Sequence, residues 1–187
     1  SISRFEPRSI ERGAETLLHI QGDQLIGLSG VRGLKFSHEK IKGEILESKS
    51  KEALLKVTAV ADLAPGSYEF SFSNSKGESP KAKLFVDDLP QSWESHTNSH
   101  AASFSVKVPV SFWGALDPAG DSDILEFAAE TGQSLVFDVA AKSIGSKAGI
   151  LITLFDAKGN LLAQNNGFGG GDPLLHYVIP ASGHYRL

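Results

Sequence analysis

Apolar and polar residues alternate with a period of two along much of the first half of the chain. The clearest run is residues 67–74, where three aromatic side chains share one side of an extended segment. Residues 53–60 and 81–86 alternate in the same way, and turns containing Gly, Pro or Asn separate such runs. About seven short strands at this spacing predict an immunoglobulin-like β-sandwich over residues 1–89.

The second half of the chain repeats this organisation. Three valines alternate over residues 106–110 and predict a strand, which Pro109 marks as an edge or a break. Residues 134–140 alternate as well, whereas residues 150–155 are apolar throughout, as expected of a central strand. Residues 156–160 form a hairpin turn in which glycine supplies a positive φ. Further strands are expected at residues 161–164, 174–179 and 185–187.

The segment between these two patterns is polar and has no sustained periodicity. Pro90 begins it, and Ser, His, Asn and Thr surround a lone tryptophan, Trp93. We therefore predict a connector over residues 90–105 and a second β-sandwich over residues 106–187. Because a flexible linker seldom carries a tryptophan, we expect the connector to be partly ordered, with Trp93 packed on a neighbouring domain.

Composition narrows the possible functions. With 41 % hydrophobic and 21 % charged residues, the chain has enough apolar side chains for packed cores. Its net charge of −4 argues against nucleic acid as a partner, because binding to the phosphate backbone requires clustered Lys and Arg. The absence of cysteine excludes disulfides, thiolate zinc sites and cysteine nucleophiles. No apolar run approaches the ~20 residues that a bilayer-spanning helix needs, so membrane insertion is not expected.

Two stretches of the first half resemble the IPT/TIG family of immunoglobulin-like domains. The first is Pro7, Arg12-Gly13 and the strand of residues 17–22 that ends at a glycine. The second is the Pro-Gly-Ser-Tyr sequence of residues 65–68. The resemblance implies a spacer or interaction module, and it supplies no catalytic residues.

Several motifs of the second half, in the same order, resemble the bacterial pre-peptidase C-terminal (PPC) domain. These motifs are Gly114, Gly120-Asp121-Ser122-Asp123 with Phe127, the Gly-Gln-Ser-Leu of residues 132–135, the hairpin of residues 156–160, and the Pro-Ala-Ser-Gly-His-Tyr of residues 180–185. The resemblance implies a jelly-roll-like β-sandwich in a secreted, cell-surface or periplasmic bacterial protein. The chain departs from the family at Ile124-Leu125, where an aromatic pair is common, and at Asn165-Asn166, where acidic residues are usual.

Asp121 and Asp123 are the best candidates for a functional site. Two residues apart on an extended chain, their carboxylates point the same way. They can serve as turn caps that accept backbone N–H bonds, or they can bind calcium, which takes six to eight oxygen ligands. In collagen-binding relatives calcium ties this loop to the preceding segment, and the resemblance therefore implies that Glu94 and Asn98 complete the set.

Other residues that could bind a metal ion or a phosphate group give weaker evidence of a site. His96 and His100 have a zinc-like spacing, but nothing nearby predicts a helix or a third ligand. The glycine-rich residues 167–171 lack the ending of a phosphate-binding loop and indicate a mobile connection. Within that loop we expect Phe168 to be exposed, whereas Trp93 and Trp113 are expected to pack.

Together these observations predict two tandem β-sandwiches without catalytic activity. The expected function is that of an accessory module in a larger secreted bacterial protein, acting in spacing, adhesion or substrate targeting. An extracellular protein or a polysaccharide is the expected partner, together with other domains of the parent polypeptide. The alternatives are part of a secreted hydrolase, which would require a cleft of convergent titratable groups, and a maturation module removed by proteolysis.

Overall fold

The computed structural model describes residues 1–28, 30, 33–75, 77–94, 101–116 and 120–187, with the backbone alone for residues 101 and 102. The described chain is all-β, as predicted, with two single-turn 3₁₀ segments at Lys142–Ile144 and Phe168–Gly170. No helix in the described part of the chain is long and apolar enough to cross a membrane. Contacts divide the chain into two compact units, Ser1–Trp93 with Pro109–Trp113, and Glu94–Val108 with Gly114–Leu187.

The first unit is a sandwich of two sheets. One sheet has the order β1-β3-β6-β5, and the other has the order β2-β9-β7-β4 with β8 paired to β7. The strands are β1 (Ile2–Glu6), β2 (Ser9–Glu11), β3 (Glu15–Gly22), β4 (Leu34–Phe36), β5 (Ile41–Ser48), β6 (Glu52–Ala59), β7 (Gly66–Asn74), β8 (Gly77–Glu78) and β9 (Ala82–Asp87).

The period-two alternation sets the inner faces of this sandwich. In β6 every second residue is buried, and Leu55 lies opposite Leu18 of β3 in an antiparallel ladder. In β7 the ring of Phe70 meets the ring of Phe5 edge to face, with 5.1 Å between the centroids. Side chains from both sheets enclose a single core, and burying this apolar surface is the main force that holds the sheets together.

A parallel ribbon belongs to the first unit and was not predicted. The strand β10 (Gln91–Trp93) pairs in parallel with β12 (Ser111–Trp113), which lies about twenty residues further along the chain. The predicted connector over residues 90–105 therefore contains β10, and it also contains β11 (Ala101–Ser105) of the second unit. Neither strand shows apolar alternation, and parallel partners distant in sequence leave no local signal.

The second unit has a five-stranded sheet of order β11-β13-β18-β15-β16 and a two-stranded sheet of β14 and β17. Phe127, Leu154 and Tyr185 are buried in its core, against partly buried Leu135 and Tyr177 of the smaller sheet. The strands not yet given are β13 (Ser122–Ala129), β14 (Ser134–Asp138), β15 (Ile152–Asp156), β16 (Leu161–Asn165), β17 (Leu174–Val178) and β18 (Gly183–Arg186).

The predicted strand over residues 106–110 is wrong. That segment has no strand geometry, although Val106 and Val108 still pack against the second core. Val106 still donates its N–H to the carbonyl of Glu126 in β13 at 2.9 Å, but the chain bends at Val108 and Pro109 and forms a new strand only at β12. Pro109 has no N–H to donate, so it interrupts any ladder at this point. By contrast, the apolar run before residue 156 becomes β15, which lies between β18 and β16 as a central strand was expected to lie.

Candidate functional site

Three of the four predicted metal ligands lie where the second unit begins its main sheet. Asp123 is the second residue of β13, and its backbone lies opposite Ala102 in the parallel ladder with β11. Asp121 directly precedes this strand, and Glu94 belongs to the segment that leads into β11. The predicted fourth ligand, Asn98, lies outside the described residues, as do His96 and His100.

The three carboxylates have different hydrogen-bond partners. Glu94 accepts the N–H of Ala115 at Oε2, with an N···O distance of 3.0 Å, and this bond joins its segment to the chain after β12. Asp121 accepts the N–H of Ser122 at Oδ1, also at 3.0 Å, which is the behaviour of a turn cap. Asp123 accepts no hydrogen bond from any described residue. Among the three, Asp123 is therefore the carboxylate whose negative charge is least compensated.

Electrostatics join the three carboxylates into a cluster. Burial, followed by the charges of Glu94 and Asp121, raises the pKa of Asp123 to about 6. Each of these effects disfavours the ionised carboxylate, and a bound cation would reverse the effect of the two neighbouring charges. Residues 94–187 carry nine Asp and Glu against five Lys and Arg, so the excess negative charge of the protein resides in this half of the chain.

The chemistry of the cluster fits a hard cation, but its carboxylates are too far apart to enclose one. All three donors are carboxylates, which calcium prefers and which zinc uses less than nitrogen and sulfur. Within the described ranges, no group of three Asp, Glu or His side chains is close enough together to hold a metal ion. A calcium ion at this position would therefore need Glu94, Asp121 and Asp123 to draw together.

A second feature of this unit is a glycine-rich turn clasped by Asp172. The Asp172 carboxylate accepts the N–H groups of Lys142 at 2.7 Å, Ser143 at 2.9 Å and Ala141 at 3.1 Å. Lys142 in turn donates from Nζ to the carbonyl of Gly170. Burial alone would raise the pKa of Asp172, but the hydrogen bonds from these three residues outweigh it and hold the pKa at about 2. This carboxylate therefore stays ionised throughout the ordinary pH range.

The clasped turn presents Phe168 to solvent. Gly171 donates to the carbonyl of Phe168 at 3.0 Å, and Gly167 donates to Asn165 Oδ1 at 2.7 Å. A Cβ on Gly167 would lie 2.1 Å from the carbonyl oxygen of Gly171, so only glycine fits this turn. The Phe168 side chain is 101 % exposed, and its predicted exposure is confirmed. The prediction missed the link to residues 141–143, because nothing in the local sequence pairs Asp172 with them.

The two tryptophans belong to the parallel ribbon of the first unit. Trp113 donates from its indole nitrogen to Gln91 Oε1 at 3.1 Å, and its ring lies 6.2 Å from that of Phe85 between centroids. Its expected packing role is therefore confirmed. Trp93 lies opposite Trp113 in the ladder but keeps 54 % of its surface exposed, so the expectation that it packs is wrong.

Comparison with known proteins adds the following. No protein-family model matches the chain, and no curated protein matches it. Among solved structures, the Bacteroides ovatus mixed-linkage glucan utilization locus protein SGBP-B, in complex with a mixed-linkage heptasaccharide, is 12 % identical over 93 % of this chain and 34 % of its own, with a TM-score of 0.33. Domains 5–6 of the S-layer protein SbsC are 11 % identical over 100 % of this chain and 96 % of theirs, also at 0.33. The secreted serine protease VesC from Vibrio cholerae is 11 % identical over 95 % of this chain and 44 % of its own, at 0.26.

The chain thus spans about a third of the length of SGBP-B and less than half of VesC. Similarities at these identities and TM-scores carry no information about the function of this chain.

Proposed function

We propose that the protein is a non-catalytic accessory module of a larger exported bacterial protein, acting in adhesion, substrate targeting or spacing. The observation that carries the proposal is the clasped turn that holds Phe168 fully exposed. The resemblance of the two halves to IPT/TIG and PPC domains supports an accessory role. In this proposal the carboxylate cluster has a stabilising role and no catalytic one.

An exposed aromatic side chain on a hydrogen-bonded turn is suited to binding. Leaving a phenyl ring in water forgoes the ~1.5–3 kcal/mol that its burial would contribute. The hydrogen bonds of Asp172 and Lys142 nevertheless tie the backbone of this loop to residues 141–143, with the ring outside the core. A loop whose backbone is already tied down loses less conformational entropy when it contacts a partner, and aromatic side chains dominate binding surfaces. Phe168 is the expected contact with an extracellular polysaccharide or protein.

The binding role can be tested by sedimentation of the whole chain with insoluble polysaccharides (cellulose, chitin and a mixed-linkage glucan) and with fibrillar collagen. We expect the protein to sediment with at least one of them, and Phe168→Ser to remove most of this binding while leaving the melting temperature unchanged. Val136→Ser, at an exposed position of β14, is the matched control and should bind normally. Sedimentation with none of these materials, or equal binding by Phe168→Ser, would contradict the proposed role.

Calcium is proposed as the stabilising ion of the carboxylate cluster, held by Glu94, Asp121 and Asp123. Its positive charge would favour the ionised form of Asp123, which the two neighbouring carboxylates now disfavour. Because the donors must first draw together, the expected affinity is in the millimolar range of extracellular modules. A concentration ten times the dissociation constant would stabilise the fold by about 1.4 kcal/mol, which raises the melting temperature by a few degrees.

The calcium test uses chelator-treated protein and thermal unfolding with calcium chloride, against magnesium chloride at equal ionic strength. We expect calcium to raise the melting temperature and the Asp121→Ala/Asp123→Ala variant to lose this increase. Asp138→Ala, which removes a carboxylate from β14 of the same unit, should retain it. If calcium has no effect on the unmutated protein, Asp121 and Asp123 are turn residues rather than metal ligands.

A further inference from the structure

The side chain of Arg8 has an environment that neither proposed role explains. Arg8 is half-buried between β1 and β2, and its guanidinium carbon lies 4.6 Å from the centroid of the Phe5 ring. Its Nε is buried and has no hydrogen-bond partner. Within the described part of the chain, this is the only buried side-chain nitrogen or oxygen in that condition. Buried polar groups nearly always have partners, so this guanidinium is held without the protein acceptor that such a group normally has.

The charges around Arg8 make its environment more unusual. Burial, followed by the positive charge of Arg4, lowers the pKa of Arg8. Arg4 is itself paired with Glu6, to which it donates from Nε at 2.8 Å and also from a terminal nitrogen. Charged groups that lose contact with water are ordinarily paired with an opposite charge. Arg8 instead has a second guanidinium as its charged neighbour.

The surrounding structure fixes the position of this guanidinium. Phe5 is buried in the first core and meets Phe70 edge to face, so its ring is a fixed platform. The backbone of Arg8 is also fixed, because its carbonyl accepts the N–H of Phe85 at 3.0 Å and the next residue begins β2. Because Nε faces the protein, an approaching ligand can reach Arg8 only through its two terminal nitrogens.

Those terminal nitrogens donate to no described residue. Unlike Nε, neither of them is both fully buried and unpaired. Together they form the outer fork of the guanidinium, which donates two parallel hydrogen bonds to the oxygens of a carboxylate, sulfate or phosphate. We infer that Arg8 is an oxyanion-binding residue, which takes a tetrahedral sulfate or phosphate group through its two terminal nitrogens. This site lies wholly in the first unit and does not depend on calcium or on Phe168.

The proposal can be tested by NMR spectroscopy of the whole chain labelled with ¹⁵N, observing the Nε–H resonance of Arg8. Sodium sulfate and sodium phosphate are titrated separately, with sodium chloride at equal ionic strength as the reference. We expect a saturable shift of the Arg8 resonance with the oxyanions and only a small, linear shift with chloride. An Arg8 response to sulfate that is the same as its response to chloride would overturn the proposal.

Two variants distinguish sulfate binding by the planar fork of Arg8 from a general effect of positive charge. Arg8→Lys keeps the charge but removes the planar fork, and losing one charge-assisted hydrogen bond should weaken sulfate binding by about tenfold. Binding is followed here by the sulfate-dependent rise in melting temperature, so that a change in basal stability does not affect the result. Arg186→Lys in the second unit is the matched control and should keep the full response. Equal responses of the two variants would contradict a site at Arg8.

A further arm distinguishes a free ion from an anionic group carried on a sugar. Glucose 6-sulfate is compared with inorganic sulfate, and unmodified glucose serves as the control. Tighter binding of glucose 6-sulfate would assign the site to sulfated saccharides, and equal binding would assign it to the free ion. If neither shifts the Arg8 resonance in a saturable way, the oxyanion site does not exist.

Discussion

At the scale of single residues, Gly43 shows how closely the two sheets of the first unit approach. A Cβ at this position of β5 would lie 2.8 Å from Leu34 Cδ2 and 2.9 Å from the ring of Phe36. Both distances are shorter than real carbon–carbon contacts, so a Cβ here would displace the ends of the Leu34 and Phe36 side chains. Glycine inside a strand often marks such a close approach.

We expect Gly43→Ala to lower the free energy of unfolding by about 1–3 kcal/mol, the usual cost of overpacking a core. Gly183 of β18 is a suitable control, since it is also a strand glycine but has open space where its Cβ would be. Gly183→Ala should be neutral or slightly stabilising. Urea unfolding of both variants measures this, and a Gly43→Ala protein as stable as the unmutated one would show that the Leu34 and Phe36 side chains rearrange without cost.

Asp123 predicts a pH dependence of stability in the absence of calcium. Its pKa is raised to about 6, first by burial and then by Glu94 and Asp121, whereas an unfolded Asp titrates near 4. The folded state therefore binds this proton more tightly than the unfolded state does. The resulting stabilisation is present below about pH 4 and is lost as the pH rises through about 6.

We expect the Asp123→Asn variant not to lose this stability as the pH rises, because its amide does not ionise. The variant should gain stability relative to the unmutated protein between pH 4 and pH 6, and the difference should level off above about pH 6. Urea unfolding of chelator-treated protein at several pH values measures the difference, and the comparison cancels the other carboxylates to first order. A difference that is constant with pH would mean that Asp123 does not titrate differently in the folded state.

At the scale of elements, the Asp172 clasp joins the 3₁₀ turn at residues 142–144 to the glycine-rich turn that carries Phe168. One carboxylate accepting three backbone N–H groups acts as a helix N-cap does. Asp156 has a comparable role in its hairpin, where it accepts the N–H groups of Lys158 and Asn160. The pKa of Asp172 is held at about 2. The stabilisation of the fold by this carboxylate is therefore present above about pH 4 and is lost only as the pH falls towards 2.

We expect Asp172→Ala to lower the free energy of unfolding by about 1 kcal/mol, as the loss of an Asp cap does. Amide hydrogen exchange should accelerate at residues 141–143 and in the glycine-rich turn, but not around Asp156. Asp156→Ala should give the reverse pattern and serves as the matched control. Unchanged protection of residues 141–143 in Asp172→Ala would show that the clasp does not order this turn.

At the scale of the whole molecule, strands β1 to β9 all lie before residue 88, and the buried core of the first unit lies between residues 5 and 86. The parallel ribbon adds β12 to this unit from residues 111–113. It contributes Trp113 as a cover for Phe85 but no residue of the buried core. The ribbon is therefore not required for the sandwich to form.

We expect a fragment of residues 1–90 to fold alone and to give a well-dispersed amide NMR spectrum. Its largest differences from the whole chain should be at Phe85 and its neighbours, because Trp113 is missing. Trp113→Ala in the whole chain is the companion variant and should reproduce those local differences. A collapsed spectrum for the fragment, beside a dispersed one for Trp113→Ala, would show that the first sandwich needs residues beyond 90.

The sequence by itself determined the all-β class and the inner faces of the sandwiches. Those properties follow from period-two patterns and turn residues, which act over a few neighbouring positions. Tyr68, Phe70 and Phe72 were placed in a strand for this reason, and the exposure of Phe168 followed from its setting among glycines.

The tertiary structure alone decided which distant segments meet. It paired β10 with β12, brought Glu94 close enough to Asp123 to raise its pKa, brought Asp172 to residues 141–143, and buried the Arg8 Nε without a hydrogen-bond partner. Parallel pairing, burial and contacts between distant charges depend on atoms far apart in the chain, so no local pattern records them.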